Sequence, residues 1–214
     1  MAANKKKKKG PLSLGFIGGG LSSTIGQAHF AASRLDGRWQ LSAGFFSRQT
    51  EMNLKTAETW NVPQDRLYES WQGFVTAERD KLDAIVVLTP TPEHIEIVNI
   101  LIDEGIPIIC EKPLVSSLEE SDLINQTFKK SHCFLSVTFN YSGYPMVREL
   151  RERIRNGELG RVQQIHFEMP QEVFSRSSDT ACKTVSPQSW RLKDGLIPTI
   201  CLDLGVHLHT LLIS

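Results

Sequence analysis

Hydrophobic positions along the chain fall into short apolar runs separated by longer stretches of helical periodicity. Leu12–Ile17 reads as a strand, and Ile25–Leu35 as a helix with its apolar face at Ile25, Ala28, Ala32 and Leu35. Trp39–Phe46 is a second strand, and Met52–Trp60 a helix stopped by Asn61 and Pro63. Tyr68–Val75 is ambiguous and reads best as a short helix. Ala84–Leu88 (AIVVL) is continuously apolar, as a strand buried on both faces must be. His94–Glu104 is helical and closes at Gly105, followed by a buried strand at Pro107–Cys110. A helix over Leu118–Lys130 has Ser116 or Ser117 as its N-cap and Glu119 and Glu120 in its first turn, and Cys133–Thr138 is the next strand. Strands alternating with helices predict an α/β fold, a parallel sheet with helices on both faces.

Beyond Tyr141 the pattern changes. Pro145–Asn156 is a charged amphipathic helix carrying Met146, Leu150 and Ile154, ended by Gly157 and Gly160. Arg161–Phe174 reads as a long strand with Val162, Ile165 and Phe167 on one side, Ser175–Ser189 as a polar loop, and Ile200–Ile213 as a closing apolar segment. One strand and one terminal helix do not close a core. The expected organisation is therefore a basic, disordered tail at 1–10, an α/β domain at 11–141, and at 142–214 the beginning of a second domain whose remainder is absent. In that reading the lone strand exposes an edge prone to self-association.

Composition narrows the function. The 214 residues are 40% hydrophobic and 22% charged, with 24 basic and 24 acidic side chains. Five of the lysines form the run Lys5–Lys9, which leaves 19 basic groups against 24 acids elsewhere, a body of net charge −5. That argues against nucleic acid as a partner. The apolar runs are too short for a transmembrane helix, and no membrane partner is expected. Cys110, Cys133, Cys182 and Cys201 form no CxxC pair, so neither a zinc site nor a disulfide framework is expected and the reducing cytoplasm is the default compartment.

Candidate chemistry sits at the ends of the strands. Gly18-Gly19-Gly20 follows the first strand and Gly26 lies near the start of the next helix. Glycines in such a turn let a pyrophosphate reach backbone amides at a helix N-terminus. The spacing departs from G-x-G-x-x-G, because Ser23 stands where the third glycine belongs and the next glycine is delayed to 26. The second strand ends on Ser47 and Arg48, with no acid before Glu51. A hydroxyl and a guanidinium suit a 2′-phosphate better than a bare ribose diol, so NADP is favoured over NAD.

Cys110-Glu111-Lys112-Pro113-Leu114, preceded by Thr89-Pro90-Thr91-Pro92-Glu93-His94, resembles the Gfo/Idh/MocA family of NAD(P)-dependent sugar and cyclitol oxidoreductases. Asn140-Tyr141, the Gly157-Glu-Leu-Gly160 turn, Trp190-Arg191, and Asp203-Leu-Gly205-Val-His207 fit the same pattern in the same order. The resemblance implies a Rossmann-type fold and hydride transfer between NADP or NAD and a sugar, cyclitol or related polyol. It implies Lys112, Asp203 and His207 as the catalytic group. It also implies cofactor contacts from Gly18, Gly19, Gly20, Gly26, Ser47, Arg48, Thr89, Pro90, His94, Glu111, Lys112, Asn140, Trp190 and Arg191. Imidazole titrates near neutral pH and suits a general base, while a lysine cation can stabilise a developing alkoxide. His207 and His209, two apart, do not share a helix face and so do not suggest a metal pair.

Two departures bear on the site: Thr91 replaces the usual Asn, and Leu196–Ile200 lacks the usual glycine-rich segment. A third is length, since family members continue well beyond this point; the resemblance implies that 11–141 is the dinucleotide-binding domain and that 142–214 begins an α+β open-sheet substrate domain, through which a homo-oligomer would form. A non-catalytic, nucleotide-binding regulatory protein of the same fold, or a gene fragment with impaired activity, are the alternatives.

Overall fold

The computed structural model describes residues 10–170 and 187–213. The Lys5–Lys9 run and most of the 175–189 loop lie outside the described residues. The chain divides between Val137 and Thr138 into two compact units, Met1–Val137 and Thr138–Ser214.

The first unit alternates strand and helix: β1 (Leu12–Gly18), α1 (Thr24–Arg34), β2 (Trp39–Phe45), α2 (Thr50–Thr59), α3 (Trp71–Glu78), β3 (Ala84–Leu88), α4 (His94–Asp103), β4 (Ile108–Glu111), α5 (Leu118–Lys130) and β5 (Leu135–Thr138). The sheet order is β2-β1-β3-β4-β5, and the β1–β2, β1–β3 and β3–β4 ladders are parallel. Strand order reverses direction at β1, which makes the crevice between the β1 and β3 exits the place where this class of sheet takes ligands.

Period-two alternation sends neighbouring residues of one strand to opposite faces. Ile85 and Val87 join a core with Phe74, Ile97, Leu101 and Ile108, while Ala84 and Val86 join another with Phe16, Phe46 and Trp60. Trp60 stacks on Phe30 of α1 at 4.6 Å between ring centres and meets Phe16 and Phe46 edge-on. The expectation of a sheet covered on both faces holds.

The helix boundaries have local causes. Ser23, Ser70 and Ser117 cap α1, α3 and α5 by accepting the backbone N–H three residues on. Glu120 reaches back from α5 to the Ser116 N–H at 2.7 Å, a capping-box arrangement. Asn61, with φ of 55°, ends the chain's run through α2. The ambiguous 68–75 segment is the entry to α3.

Two expectations are corrected. The inward face of α1 is Gly26, Phe30 and Ser33; Ile25, Ala28, Ala32 and Leu35 point outward, Leu35 being 86% exposed. Helical periodicity alone chose the wrong stripe, because the close seating of Gly26 described below sets the helix's rotation. In the second unit, residues 161–170 form no strand. A strand exists through its ladder partners, and among the described residues this segment has none; Val162, Ile165 and Phe167 are exposed.

The second unit holds a short 3₁₀ turn (Tyr141–Gly143), α6 (Pro145–Arg155), a further 3₁₀ turn (Ser189–Leu192), a π-helical turn (Cys201–Gly205) and α7 (Val206–Ile213). No helix among the described residues is long and apolar enough to cross a membrane.

One buried charge cluster ties the first unit together. The Glu78 side chain is fully buried, paired with Arg66 through both carboxylate oxygens and accepting the Tyr68 hydroxyl at 2.7 Å. Burial alone would raise the Glu78 pKa, but the Arg66 and Tyr68 hydrogen bonds and the Arg66 charge together hold it below its ordinary value. Tyr68 is pushed up to about 12 by burial and by its bond to Glu78. A carboxylate with a depressed folded pKa contributes stability that is present above its ordinary value of 4.5 and lost as the pH falls through the depressed one. Arg66→Met, which strands the buried carboxylate, should lower unfolding stability by about 3 kcal/mol at pH 7. In urea denaturation the gap between wild type and variant should begin to close above pH 4.5, where burial makes the stranded Glu78 of the variant take up its proton, and should close further below 4.5 as the wild-type Glu78 protonates.

Candidate functional site

The carboxyl edge of the sheet gathers four loops of the first unit. After β1, Gly18 and Gly19 adopt φ of +79° and +71°, a region that side-chain-bearing residues rarely enter. Gly20 donates to the Phe46 carbonyl at 3.1 Å, and Leu21 donates to Thr56 Oγ1 at 3.2 Å. The glycine turn is thus fastened to the exit of β2 and to α2. Gly26, on the first turn of α1, lies so close to Gly19 that a Cβ there would overlap the Gly19 carbonyl. This glycine supplies the tight helix-to-turn packing that the irregular spacing left in question, and Ser23 serves as the helix cap instead. The first amides of α1 therefore open directly over the turn, with the positive end of the helix dipole behind them.

Ser47 and Arg48 follow β2. Asn53, 4% exposed, accepts from the Phe46 and Ser47 amides and donates to the Tyr68 carbonyl at 2.8 Å, so it shapes this exit from beneath. Ser47 Oγ accepts the Gln49 N–H at 3.1 Å. Arg48 is 79% exposed, and its Nη2 lies 3.5 Å from Glu93 Oε1, on the 3₁₀ turn after β3. Such an exposed pair is weak and easily exchanged for another anion.

Thr89 and Pro90 leave β3. Thr89 Oγ1 is buried with no hydrogen-bond partner among the described residues. His94 is 1% exposed; its Nδ1 lies 2.9 Å from the Pro113 carbonyl and its Nε2 2.8 Å from the Thr89 carbonyl. Burial pulls the His94 pKa below the ordinary histidine value, against the two carbonyls that favour the charged ring. With both nitrogens so engaged, His94 has no donor left for a ligand. The structure makes it a strut between the β3 and β4 exits.

Glu111 and Lys112 leave β4, joined to Pro113 by a cis peptide bond. Glu111 Oε1 lies 2.7 Å from His29 Nε2, and its Oε2 accepts the Lys112 N–H at 3.3 Å. Lys112 itself is half-buried.

The remaining candidates belong to the second unit, which forms two groups. His207, 5% exposed, packs edge-on against Tyr141 at 4.6 Å and Phe139 at 6.3 Å, with Asn140 between them in sequence. Asp203 sits in the π-helical turn, a local widening common at functional positions. Arg191 donates from Nη2 to the Asp203 Oδ1 at 3.2 Å, holds Nε 3.2 Å from Oδ2 as an ion pair without a hydrogen bond, and lies 4.7 Å over the Trp190 ring. Arg191 is therefore committed to Asp203 and Trp190 stacks on Arg191, a pairing that the sequence reading had not drawn between these residues. Asn53 and Thr56 were missed altogether, because their partners lie 7 and 35 residues away along the chain, and the bond of His29 to Glu111, 82 residues on, left no local signal.

Comparison with known proteins adds to this geometry. Residues 12–139 match the family model described as an oxidoreductase family with an NAD-binding Rossmann fold, GFO_IDH_MocA. An uncharacterized oxidoreductase of Bacillus subtilis, YfiI, is 27% identical over 93% of this chain and 52% of its own length. The D-xylose 1-dehydrogenase [NADP(+)] of Haloarcula marismortui is 25% identical over 61% of this chain and 35% of its own. The crystal structure of an inositol dehydrogenase homolog complexed with NAD+, from Azotobacter vinelandii, superposes with a TM-score of 0.82 and 26% identity, covering 99% of this chain and 55% of that one. The chain spans about half, or less, of the length of these relatives.

Because the contact at Gly26 is backbone against backbone, no side chain can rotate away to relieve it. Gly26→Ala should lower unfolding stability by about 3 kcal/mol or more. Gly37→Ala, where φ is +67° but no atom lies nearby, should cost only about 1 kcal/mol; thermal denaturation of the two variants compares them directly.

Proposed function

The chain belongs to the Gfo/Idh/MocA oxidoreductase family, and from that premise we propose that it binds a nicotinamide dinucleotide and serves hydride transfer between the nicotinamide and the carbon that bears a secondary hydroxyl (or the corresponding carbonyl) of a sugar, cyclitol or related polyol. The observation that carries the reading is the seat of α1 on the glycine turn. Two left-handed glycines, a helix N-terminus and a contact only glycine allows leave backbone amides where a pyrophosphate needs them. The buried, unpartnered Thr89 hydroxyl beside that turn supports a polar ligand in the same crevice.

In this reading Gly18, Gly19, Gly20 and Gly26 hold the phosphates, Ser47 and Arg48 meet the adenosine end, and Thr89, Pro90, Glu111 and Lys112 border the nicotinamide end. We assign Asn140, Trp190 and Arg191 to the support of the reacting end, Arg191 by fixing Asp203. NADP is preferred over NAD, because no acid follows β2 to bind a bare ribose and the exposed Arg48 can exchange Glu93 for a 2′-phosphate. When bound, the nicotinamide supplies the hydride-accepting or hydride-donating carbon.

The chain's own residues move the proton. His207 takes the hydroxyl proton as general base, Asp203 orients the substrate or the ring, and the Lys112 ammonium stabilises alkoxide character on the oxygen. Burial of His207 against Tyr141 and Phe139 keeps competing water from the ring. The second unit is proposed to carry substrate binding and any self-association.

Calorimetric titration of the purified chain with NADP and NAD tests the reading, with NADP expected to bind more tightly. Arg48→Ala should weaken NADP by about tenfold and leave NAD unchanged; equal loss for both would remove Arg48 as the reader of the 2′-phosphate. In turnover assays on polyols, Lys112→Ala and His207→Ala should each lower kcat by about 10² with dinucleotide affinity nearly unchanged.

A further inference from the structure

His29 has no part in the reading above, yet it joins two of the loops that reading depends on. It lies on α1, the helix seated on the glycine turn, and its Nε2 is 2.7 Å from Glu111 Oε1 at the exit of β4. Both side chains are only 16% exposed. A carboxylate accepts and does not donate, so Nε2 carries the proton of this bond. The other oxygen of Glu111 accepts the Lys112 backbone N–H, and the His29 ring is set edge-on against Phe16 at 6.5 Å and 88°. One carboxylate is thereby held at both oxygens, by α1 on one side and by the backbone that presents Lys112 on the other. A charge-assisted bond with little water access is stronger and more directional than a surface contact.

We propose that His29 is a positioning residue: through Glu111 it couples the helix that receives the dinucleotide phosphates to the backbone that presents Lys112. The inference rests on the dinucleotide reading and adds to it a link between the two ends of the cofactor site, 82 residues apart in sequence. Movement of α1 towards bound phosphates is transmitted to Glu111 and from there to Lys112. Removing the bond uncouples them and leaves Glu111 short of a partner.

The test uses the full chain with NADPH and NADH as probes, their affinities read by fluorescence titration. Lysine amines are ¹³C-methylated so that Lys112, identified by its loss in Lys112→Arg, reports by NMR. In the unaltered chain, dinucleotide should shift the Lys112 signal. His29→Leu should weaken both dinucleotides by about tenfold and shrink that shift. His29→Gln, which can still donate to Glu111, should restore both, and this variant carries the test if His29→Leu folds poorly. In a Glu111→Ala background, which removes both acceptor oxygens, His29→Leu should have little further effect. Unchanged affinity and an unchanged Lys112 shift in His29→Leu would overturn the proposal while leaving the dinucleotide reading intact. So would an additive loss in the Glu111→Ala background, or losses that merely follow the melting temperature and are not rescued by glutamine at position 29. Failure of the unaltered chain to bind either dinucleotide would overturn the dinucleotide reading and this inference with it.

Discussion

The approach of the Gly26 backbone to the Gly19 carbonyl governs much of the first unit. It sets how α1 rotates about its axis, so Phe30 stacks on Trp60 and Ser33 is buried while Ile25 and Leu35 face outward. It also aims the first amides of α1 over the glycine turn and brings His29 to Glu111. A helix with stronger apolar periodicity on its other face is turned against that preference by one steric contact. Packing of this kind is worth more than the exposure of a few apolar side chains, because a backbone cannot choose another rotamer.

Around that contact, the fold separates support from chemistry. The two cores on the faces of the sheet are apolar and closely packed. The polar groups buried near the carboxyl edge are nearly all engaged: Asn53 under the β2 exit, Thr56 under the glycine turn, and His94 between the β3 and β4 exits. Each holds loop backbone rather than facing a crevice, so the loops keep their shape without helix or ladder bonds of their own. The Arg66–Glu78–Tyr68 cluster does the same for the segment between β2 and α3. In the second unit Arg191 bears on Asp203 in like manner, and Trp190 bears on Arg191.

The sheet was legible in the sequence because its signals are local. AIVVL at 84–88 reads as a doubly buried strand without knowledge of its neighbours, and the Ser117 cap with acids in the first turn marks α5. The Glu111-Lys112-Pro113 and Asp203–His207 patterns were legible as motifs, and the match over residues 12–139 agrees with the family they suggested. What escaped was relational. The inward face of α1 depends on a contact with the preceding turn, and Arg161–Phe174 looked like a strand although pattern alone cannot supply a ladder partner. The place of His94 after Thr89-Pro90 was visible, whereas the two carbonyls that face its ring were not. Hydrogen bonds across 35 or 82 residues leave no periodicity to detect.

We propose that the glycine turn under α1, together with the β2, β3 and β4 exits, forms one dinucleotide site. Amide NMR of the ¹⁵N-labelled chain, recorded as NADP is added, tests it most directly. The account predicts that the largest shifts fall on Gly18–Gly20 and Thr24–Gly26, with further shifts at Ser47, Arg48, Thr89, Glu111 and Lys112, while the helices away from the carboxyl edge stay unmoved. Saturable binding whose shifts fall elsewhere, or no shifts at Gly19 and Gly26 at saturating NADP and NAD, would contradict it.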